Sequence, residues 1–449
     1  MTNTQRKKFK VGFISLGCAK NLCDTEVMLH HLLEAGYEIT PDETEADAVI
    51  INTCAFIESA KKESIDNILD IAWLKKHRSL KGIIVTGCLA ERYREEVLNE
   101  LPEVDALLGV GAIHNITEAV DSVLSKGEKY VCVEGKETVA LGGDRVVTTG
   151  EAFAYIKIAE GCNNRCTYCA IPSIRGKLRS RTVEDIIEEA KSLEETGIKE
   201  LVLIAQDTSV YGLDLYGEYK LPYLLRRLSE ETSIPWLRIL YCYPDKITDE
   251  LIAEMRDNKK VVHYIDLPIQ HISDNMLTAM NRHGDSACIK DAIARLRREI
   301  PDIVIRTTAI VGFPGETDKD FTELCQFIKD TKFQRFGAFT YSREENTAAA
   351  ELPDQIDEQI KQDRYDIIMK CQQNISEKYN EALVGKTLHV LCEGFDEVSE
   401  SYLGRSYRDA PETDGKVWFT SHRPVSEGEF VDVKITEAMD YDLVGKVIV

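Results

Sequence analysis

Between residues 9 and 125, short apolar runs alternate with amphipathic ones. FKVGFISLG, ADAVIINT and KGIIVTG are rich in β-branched residues and have strand length. TEVMLHHLLEAG and IESAKKESIDNILDIAWLKKH lie between them and space their apolar residues as helices do. VDALLGVG and ITEAVDSVLSK complete the set. The pattern predicts an α/β N-terminal domain with an open parallel sheet over residues 9–125. Residues 126–147 are polar and glycine-bearing with weak strand character, which predicts a connector.

The strand-then-helix rhythm resumes over residues 148–380. FAYIKIAE, ELVLIAQ, WLRILYCY, YIDLPIQ, IVIRTTAIVG and RFGAFTYS are candidate strands, with helical runs such as TVEDIIEEAKSLEETG between them. Six such units fall short of the eight in a closed barrel, so a central partial (β/α)6 barrel is expected. A long polar helix pattern, PDQIDEQIKQDRYDIIMKCQQNISEKYNEAL, leads out of it. From Val384 to Val449 the texture changes to TLHVLCEGF, YLGRSY, GKVWFT and EFVDVKITEAM, split by Gly, Pro, Asp and Glu. These short strands predict a small all-β barrel over residues 384–449.

Composition narrows the function classes. The 449 residues are too many for one ordinary domain. With 77 acidic against 55 basic side chains, the net charge is −22. That balance disfavours nucleic acid as the main partner and favours a basic one. Neither a signal peptide nor an 18-residue apolar run is visible, so a cytoplasmic protein without a membrane partner is expected. Thirteen cysteines in such a chain point to metal binding, catalysis or burial rather than disulfides.

One cysteine set is local. In EGCNNRCTYC, Cys162, Cys166 and Cys169 directly follow the strand FAYIKIAE, and strand C-termini are where such barrels carry chemistry. Zinc would need a fourth ligand, and His114 and His263 match no zinc spacing. Three thiolates suit an iron–sulfur cluster with one iron left open. A second set is dispersed. Cys18, Cys54 and Cys88 each come one or two residues after a predicted parallel strand, in SLGCAKN, NTCAF and TGCLAE. Strand ends of an open α/β sheet face one side, which makes distant thiols neighbours. Cys23 falls inside a helix pattern. Cys242, Cys288, Cys325, Cys371 and Cys392 occupy periodic apolar positions and are expected in the core, and Cys132 has no partner pattern.

The CxxxCxxC spacing, with Tyr168 before the last cysteine, resembles the radical S-adenosylmethionine superfamily. The resemblance implies that S-adenosylmethionine binds the open iron and is cleaved to a 5′-deoxyadenosyl radical. Several strand-end stretches then suit its pocket: Gln206 and Asp207, Gln270 and His271, Arg306, and the turn with Gly312, Gly315 and Glu316. For each, the alternative is a polar group satisfied within the protein.

Taken in order along the whole chain, the three parts resemble the methylthiotransferase family. There the N-terminal cysteines bind a second 4Fe-4S cluster, and the small barrel is the TRAM domain. SLGCAKNLCDTE, AFTYSREENTAAAELPDQI, GRSYRDAPETDGKVWF and the terminal YDLVGKVIV are similar to the branch that modifies an aspartate of ribosomal protein S twelve. The thirteen acids and seven bases from Val384 onward also suit a basic protein better than tRNA. The basic strip RGKLRSR, Arg175 to Arg181, is the contrary signal, and we expect a solvated or interdomain segment there. The resemblance implies two 4Fe-4S clusters, two S-adenosylmethionine molecules with separate duties, and a reductant such as flavodoxin or ferredoxin. RNA contact is allowed but not primary. A tRNA adenosine methylthiotransferase and a non-enzymatic iron–sulfur scaffold are the alternatives.

Overall fold

The computed structural model describes residues 9–139 and 141–448. The basic residues 1–8, Ala140 of the expected connector and Val449 of the expected barrel lie outside the described residues.

Continuous apolar runs become strands buried on both faces. β1 (Lys10–Ser15), β2 (Glu38–Thr40), β3 (Ala48–Thr53), β4 (Gly82–Gly87), β5 (Ala106–Leu108) and β6 (Tyr130–Cys132) form one parallel sheet, ordered β2-β1-β3-β4-β5-β6. Every residue of β3 and β4 is buried. Val49, Ile51, Ile83 and Val85 pack on the side of α2 (Glu58–His77), whereas Ala48, Ile50 and Ile84 pack on the side of α1 (Ala19–Glu34). The strand order reverses between β1 and β3, and such a reversal opens a crevice at the strand C-termini. Residues 130–132, in the stretch read as a connector, add the sixth strand by pairing with β5 (Ala106↔Tyr130).

The second sheet starts with β7 (Phe153–Lys157). A short antiparallel ribbon follows, β8 (Ala159–Glu160) with β9 (Arg179–Ser180). Then come β10 (Glu200–Ile204), β11 (Trp236–Ile239), β12 (Val261–Asp266), β13 (Val304–Val311) and β14 (Arg335–Thr340). The order is β14-β13-β12-β11-β10-β7, six parallel strands with β7 and β14 at the edges. This is the expected open partial barrel. Its outer residues, including Ile156, Leu203, Ile239, Ile265 and Ile305, pack against helices in the largest core. Its inner residues, Tyr155, Val202, Leu240 and Tyr264, form another cluster that also takes in Ala19, Leu22 and Cys23 of α1.

The C-terminal strands β15 (Thr387–Asp396), β16 (Ser401–Ser406), β17 (Val417–Thr420), β18 (Phe430–Ala438) and β19 (Leu443–Val447) close into a barrel, β15-β16-β17-β19-β18. The loop after β16 enters the floor of the partial barrel, at the N-terminal ends of its strands. There Tyr155 Oη donates to Glu412 (2.9 Å), Tyr264 Oη to Asp414 (2.6 Å) and Arg238 to the Tyr407 carbonyl (2.9 Å). Arg335 pairs with Asp409, and Ala410 and Leu391 join the apolar cluster of the lumen. The small barrel is thus a structural floor of the central unit. Among the described residues, no helix is long and apolar enough to cross a membrane.

Cys242, Cys325 and Cys392 are buried as expected, whereas Cys288 and Cys371 are only half-buried. The strip Arg175–Arg181 is interdomain at Arg175, which pairs with Asp24 of the N-terminal domain. Arg175 and Arg181 are almost fully buried in ion pairs, whereas Lys177 between them is exposed.

Candidate functional site: two three-cysteine sets at one seam

Cys18 caps α1 just beyond β1, Cys54 follows β3, and Cys88 opens α3 (Cys88–Tyr93) directly after β4. The first two therefore flank the reversal point of the sheet. Asn21 ties the three strand ends together. Its Nδ2 donates to the carbonyls of Leu16 (3.0 Å) and Thr53 (2.9 Å), and its Oδ1 lies 3.7 Å from the Cys88 thiol. The Ser64 hydroxyl brackets Cys54 by accepting from its N–H (3.0 Å) and donating to its carbonyl (2.8 Å).

Two glycines make the close approach feasible. Gly17 has φ +93°, and a Cβ there would sit 2.8 Å from Cys54 Cβ and 3.2 Å from its Sγ. Gly87 has φ +92°, and its Cβ would meet Asn52 Oδ1 at 2.3 Å and the Thr53 carbonyl at 2.5 Å. A Gly17→Ala chain should therefore carry about 1–3 kcal/mol of backbone strain and displace Cys54. Iron bound after anaerobic reconstitution should fall from two clusters per chain toward one, as a colorimetric iron assay would report.

Electrostatics separate the thiols. Burial pushes the Cys54 thiol up and the Cys88 thiol up to about 12, with Cys18 adding to both effects. Burial would raise Cys18 too, but Lys20, Arg175 and the N–H groups of Asn21 and Lys20 outweigh it, so its thiol lies below the usual range. Cys18 is the thiol readiest to be a thiolate.

The second set sits on the loop after β8. Gly161 (φ +74°) leads into it, and the Cys162 N–H donates to the Gly176 carbonyl (3.1 Å). The Cys169 N–H turns back onto the Cys166 carbonyl (3.0 Å), and the Thr167 N–H reaches the Met280 carbonyl (3.0 Å). Arg282 Nη1 lies 3.8 Å from Cys166 Sγ, with its guanidinium 4.0 Å from the centre of the Tyr243 ring. Tyr243 Oη is itself 3.7 Å from Cys166 Sγ. Burial pushes Cys162 up to about 11 and Cys169 up to about 12, and the neighbouring thiols reinforce both shifts.

The strand tops around this loop hold most of the remaining sequence candidates, and Arg306 lies deeper, toward the floor. Gln206 donates to Glu160, and its Oε1 is buried without a partner. Gln270 has φ +68° and an equally orphaned Oε1. Non-glycine positive φ is uncommon and clusters at ligand sites, and Tyr241 (φ +63°) is a second case nearby. Asn164 donates to Asp207 (2.8 Å), and burial raises the Asp207 carboxyl. Tyr168 packs on Met276, Met280, Phe313 and Tyr341. Arg306 lies in the lumen between Asp266 (3.3 Å) and Asp414 (3.4 Å) of the small barrel. Glu316 accepts from the Gly312 N–H (2.6 Å), Arg364 (2.7 Å) and His271 Nε2 (3.0 Å), which makes it a brace for the turn with Gly312 and Gly315.

These donor sets fit the groups expected. Cysteine thiolates are the ligands of iron–sulfur clusters, glycines leave backbone room beside Cys54, and the amide oxygens of Gln206 and Gln270 are buried with acceptor capacity to spare. Among the described residues, no three His, Cys, Asp or Glu side chains are gathered for a single metal ion. Cys-based clusters spread their ligands over several irons and ask for a wider arrangement. Sequence reasoning missed Lys20, Asn21, Tyr243 and Arg282. The first two lie inside the SLGCAKN stretch and had a local signal; the other two are remote in sequence and had none.

This fold and this pair of thiol sets define a radical S-adenosylmethionine enzyme with an added N-terminal domain and a C-terminal barrel. Residues 156–328 match the radical SAM superfamily, residues 10–109 match uncharacterized protein family UPF0004, and residues 384–448 match the TRAM domain. The chain is 51% identical over 438 residues to the ribosomal protein uS12 methylthiotransferase RimO of Desulforamulus reducens, covering 97% of this chain and 99% of that one. It is 49% identical over 448 residues to the protein of the same name from Acetivibrio thermocellus, at 98% and 99% coverage. The solved radical S-adenosylmethionine methyltransferase TsrM of Kitasatospora setae shares the fold at 13% identity, with a TM-score of 0.58 over 77% of this chain and 74% of its own. The chain belongs to the RimO family of radical S-adenosylmethionine methylthiotransferases, whose cofactors are S-adenosylmethionine and 4Fe-4S clusters.

Proposed function

We propose that this protein methylthiolates ribosomal protein uS12, at the β-carbon of an aspartate. The observation that carries the reading is the buried Arg175, which reaches Cys88 Sγ of one cysteine set at 4.0 Å and Glu160, two residues before Cys162 of the other, at 2.8 Å, in a chain whose relatives named for uS12 match it end to end. Cys162, Cys166 and Cys169 would hold one 4Fe-4S cluster, and Cys18, Cys54 and Cys88 the other. Tyr168, Gln206, Gln270, Arg306, Gly312 and Glu316 would frame the S-adenosylmethionine pocket, the last two by shaping its wall. Bound there, these groups supply hydrogen abstraction from an unactivated carbon and a methylated sulfur for transfer, with one S-adenosylmethionine for each task.

The chain's own residues provide position and dryness. α1 packs on the inner face of the partial barrel and excludes water from its side of the seam. Arg282 and Tyr243 fix the Cys166 edge, and Asn21 fixes the other set. We take residues 9–125, 148–380 and 384–449 as three units joined by 126–147, working in the cytoplasm with a flavodoxin or ferredoxin as reductant.

The strip that most favoured RNA, Arg175 to Arg181, has its two innermost guanidinium groups occupied inside the protein. That supports the protein substrate over tRNA. Anaerobically reconstituted enzyme incubated with uS12 and with tRNA should add the mass of a methylthio group to an aspartate-containing peptide of uS12. Finding that mass on tRNA alone would replace the reading by the tRNA one.

A further inference from the structure

Arg175 stands six residues after Cys169, at the end of the helix Ile171–Arg175, and is 1% exposed. Its Nη1 donates to Glu160 (2.8 Å), two residues before Cys162. Its Nη2 donates to Asn21 Oδ1 (2.6 Å) and Asp24 (3.0 Å), both on α1, and lies 4.0 Å from Cys88 Sγ. Lys157 closes the figure, with Nζ 2.7 Å from Asp24 and 3.1 Å from Glu160. Two cations and two carboxylates thus alternate in a buried ring that crosses from the radical domain to the N-terminal domain. A second buried cation crosses the other way. Lys20, two residues after Cys18, reaches the Ala205 carbonyl (3.3 Å) beside Gln206, and its Nζ lies 3.8 Å from the Tyr241 ring centre.

A ring of this kind is weak evidence for stability, because desolvation offsets much of its attraction. Its better-supported use is to fix register. One guanidinium here contacts the surroundings of both cysteine sets, and it does so in a planar fork that no ammonium can reproduce. Arginine also keeps its charge at every accessible pH. A fixed positive charge beside thiolate ligands favours the reduced, more negative state of a cluster and raises its potential.

We propose that Arg175 is a positioning residue for the transfer step, which locks the Cys88 edge of the N-terminal set against the radical site and raises the potential of the cluster held there. The assignment rests on Cys18, Cys54 and Cys88 being cluster ligands.

The test uses the full chain carrying Cys162→Ala, Cys166→Ala and Cys169→Ala, which isolates the N-terminal cluster. Its midpoint potential is followed by redox titration with electron paramagnetic resonance. Adding Arg175→Gln should lower the potential and change the spectrum, while Arg175→Lys should restore most of the potential. In the otherwise native chain, Arg175→Lys keeps the ring neutral and foldable but lacks the fork. Methylthiolated product per deoxyadenosine should fall about tenfold, within the range for residues supporting metal ligands. An unchanged potential in Arg175→Gln, or an unchanged product ratio in Arg175→Lys, overturns the role of Arg175. If the isolating chain binds no cluster at all, the ligand reading itself is wrong and the proposal falls with it.

Discussion

A chain with Cys162, Cys166 and Cys169 all replaced by alanine is expected to form no 5′-deoxyadenosine from S-adenosylmethionine under reducing conditions, while one with Cys18, Cys54 and Cys88 replaced should still do so. The two triple variants separate because the thiol sets belong to different sheets. The first set rides on a loop fixed by the carbonyls of Gly176 and Met280 and by Arg282, all within the central unit. Removing its sulfurs takes every thiol from that loop, and with Cys166 Sγ the Arg282 contact, but leaves the backbone anchors at the Gly176 and Met280 carbonyls in place. The second set hangs on the strand ends of the N-terminal sheet, braced by Asn21 and Ser64. Its loss leaves the strand tops with Gln206 and Gln270 intact, so cleavage survives and the methylthio product disappears. Chromatography with mass detection, on deoxyadenosine and on uS12 peptides from the same reaction, reads both outcomes. Deoxyadenosine from the first variant would end the radical assignment.

This separation was legible in the sequence because strand-end position is a one-dimensional signal. A β-branched run ending in a cysteine states both the strand and the side of the sheet where the thiol emerges. Three such runs ending at Cys18, Cys54 and Cys88 sufficed. All six strands of the partial barrel announced themselves in the same way. β6 did not, since YVC is three residues long in polar surroundings and owes its pairing to the exposed edge of β5. β19 follows Asp440 and Asp442 and carries Gly445 and Lys446 within it, so its apolar signal is interrupted.

The strip RGKLRSR shows a different limit. Composition gives charge but not the location of counter-charges. Arg175 finds Asp24, about 150 residues earlier, and Arg181 finds Glu189 on the next helix. Glu316 shows the converse. As a polar residue in a strand-end turn it looked available to a ligand, yet His271, Arg364 and the Gly312 N–H already occupy its carboxylate. Saturation of a polar group is a three-dimensional property, which local sequence cannot express.

The floor of the barrel carries the second large effect. Glu200, first residue of β10, is fully buried with Arg238 Nε at 2.5 Å and Arg405 Nη2 at 2.7 Å, the latter from the small barrel. Burial alone would raise its carboxyl, but the two guanidinium groups outweigh it and hold it below the ordinary carboxylate range. Glu200→Gln keeps the shape and leaves two buried arginines without their shared counter-charge. Breaking a buried pair from one side costs about 3–5 kcal/mol, so the urea midpoint of the Glu200→Gln chain should lie correspondingly below that of the native chain. The pH dependence gives an independent check. A carboxylate whose folded pKa is depressed adds stability above its unfolded pKa of about 4.3. That contribution is lost as pH falls from there through the folded value. Native protein should therefore lose stability steeply on the acid side, and Glu200→Gln should flatten that slope while lying lower at neutral pH. Parallel curves for the two chains, offset by a constant, would mean that Glu200 is not the charge holding the small barrel to the floor.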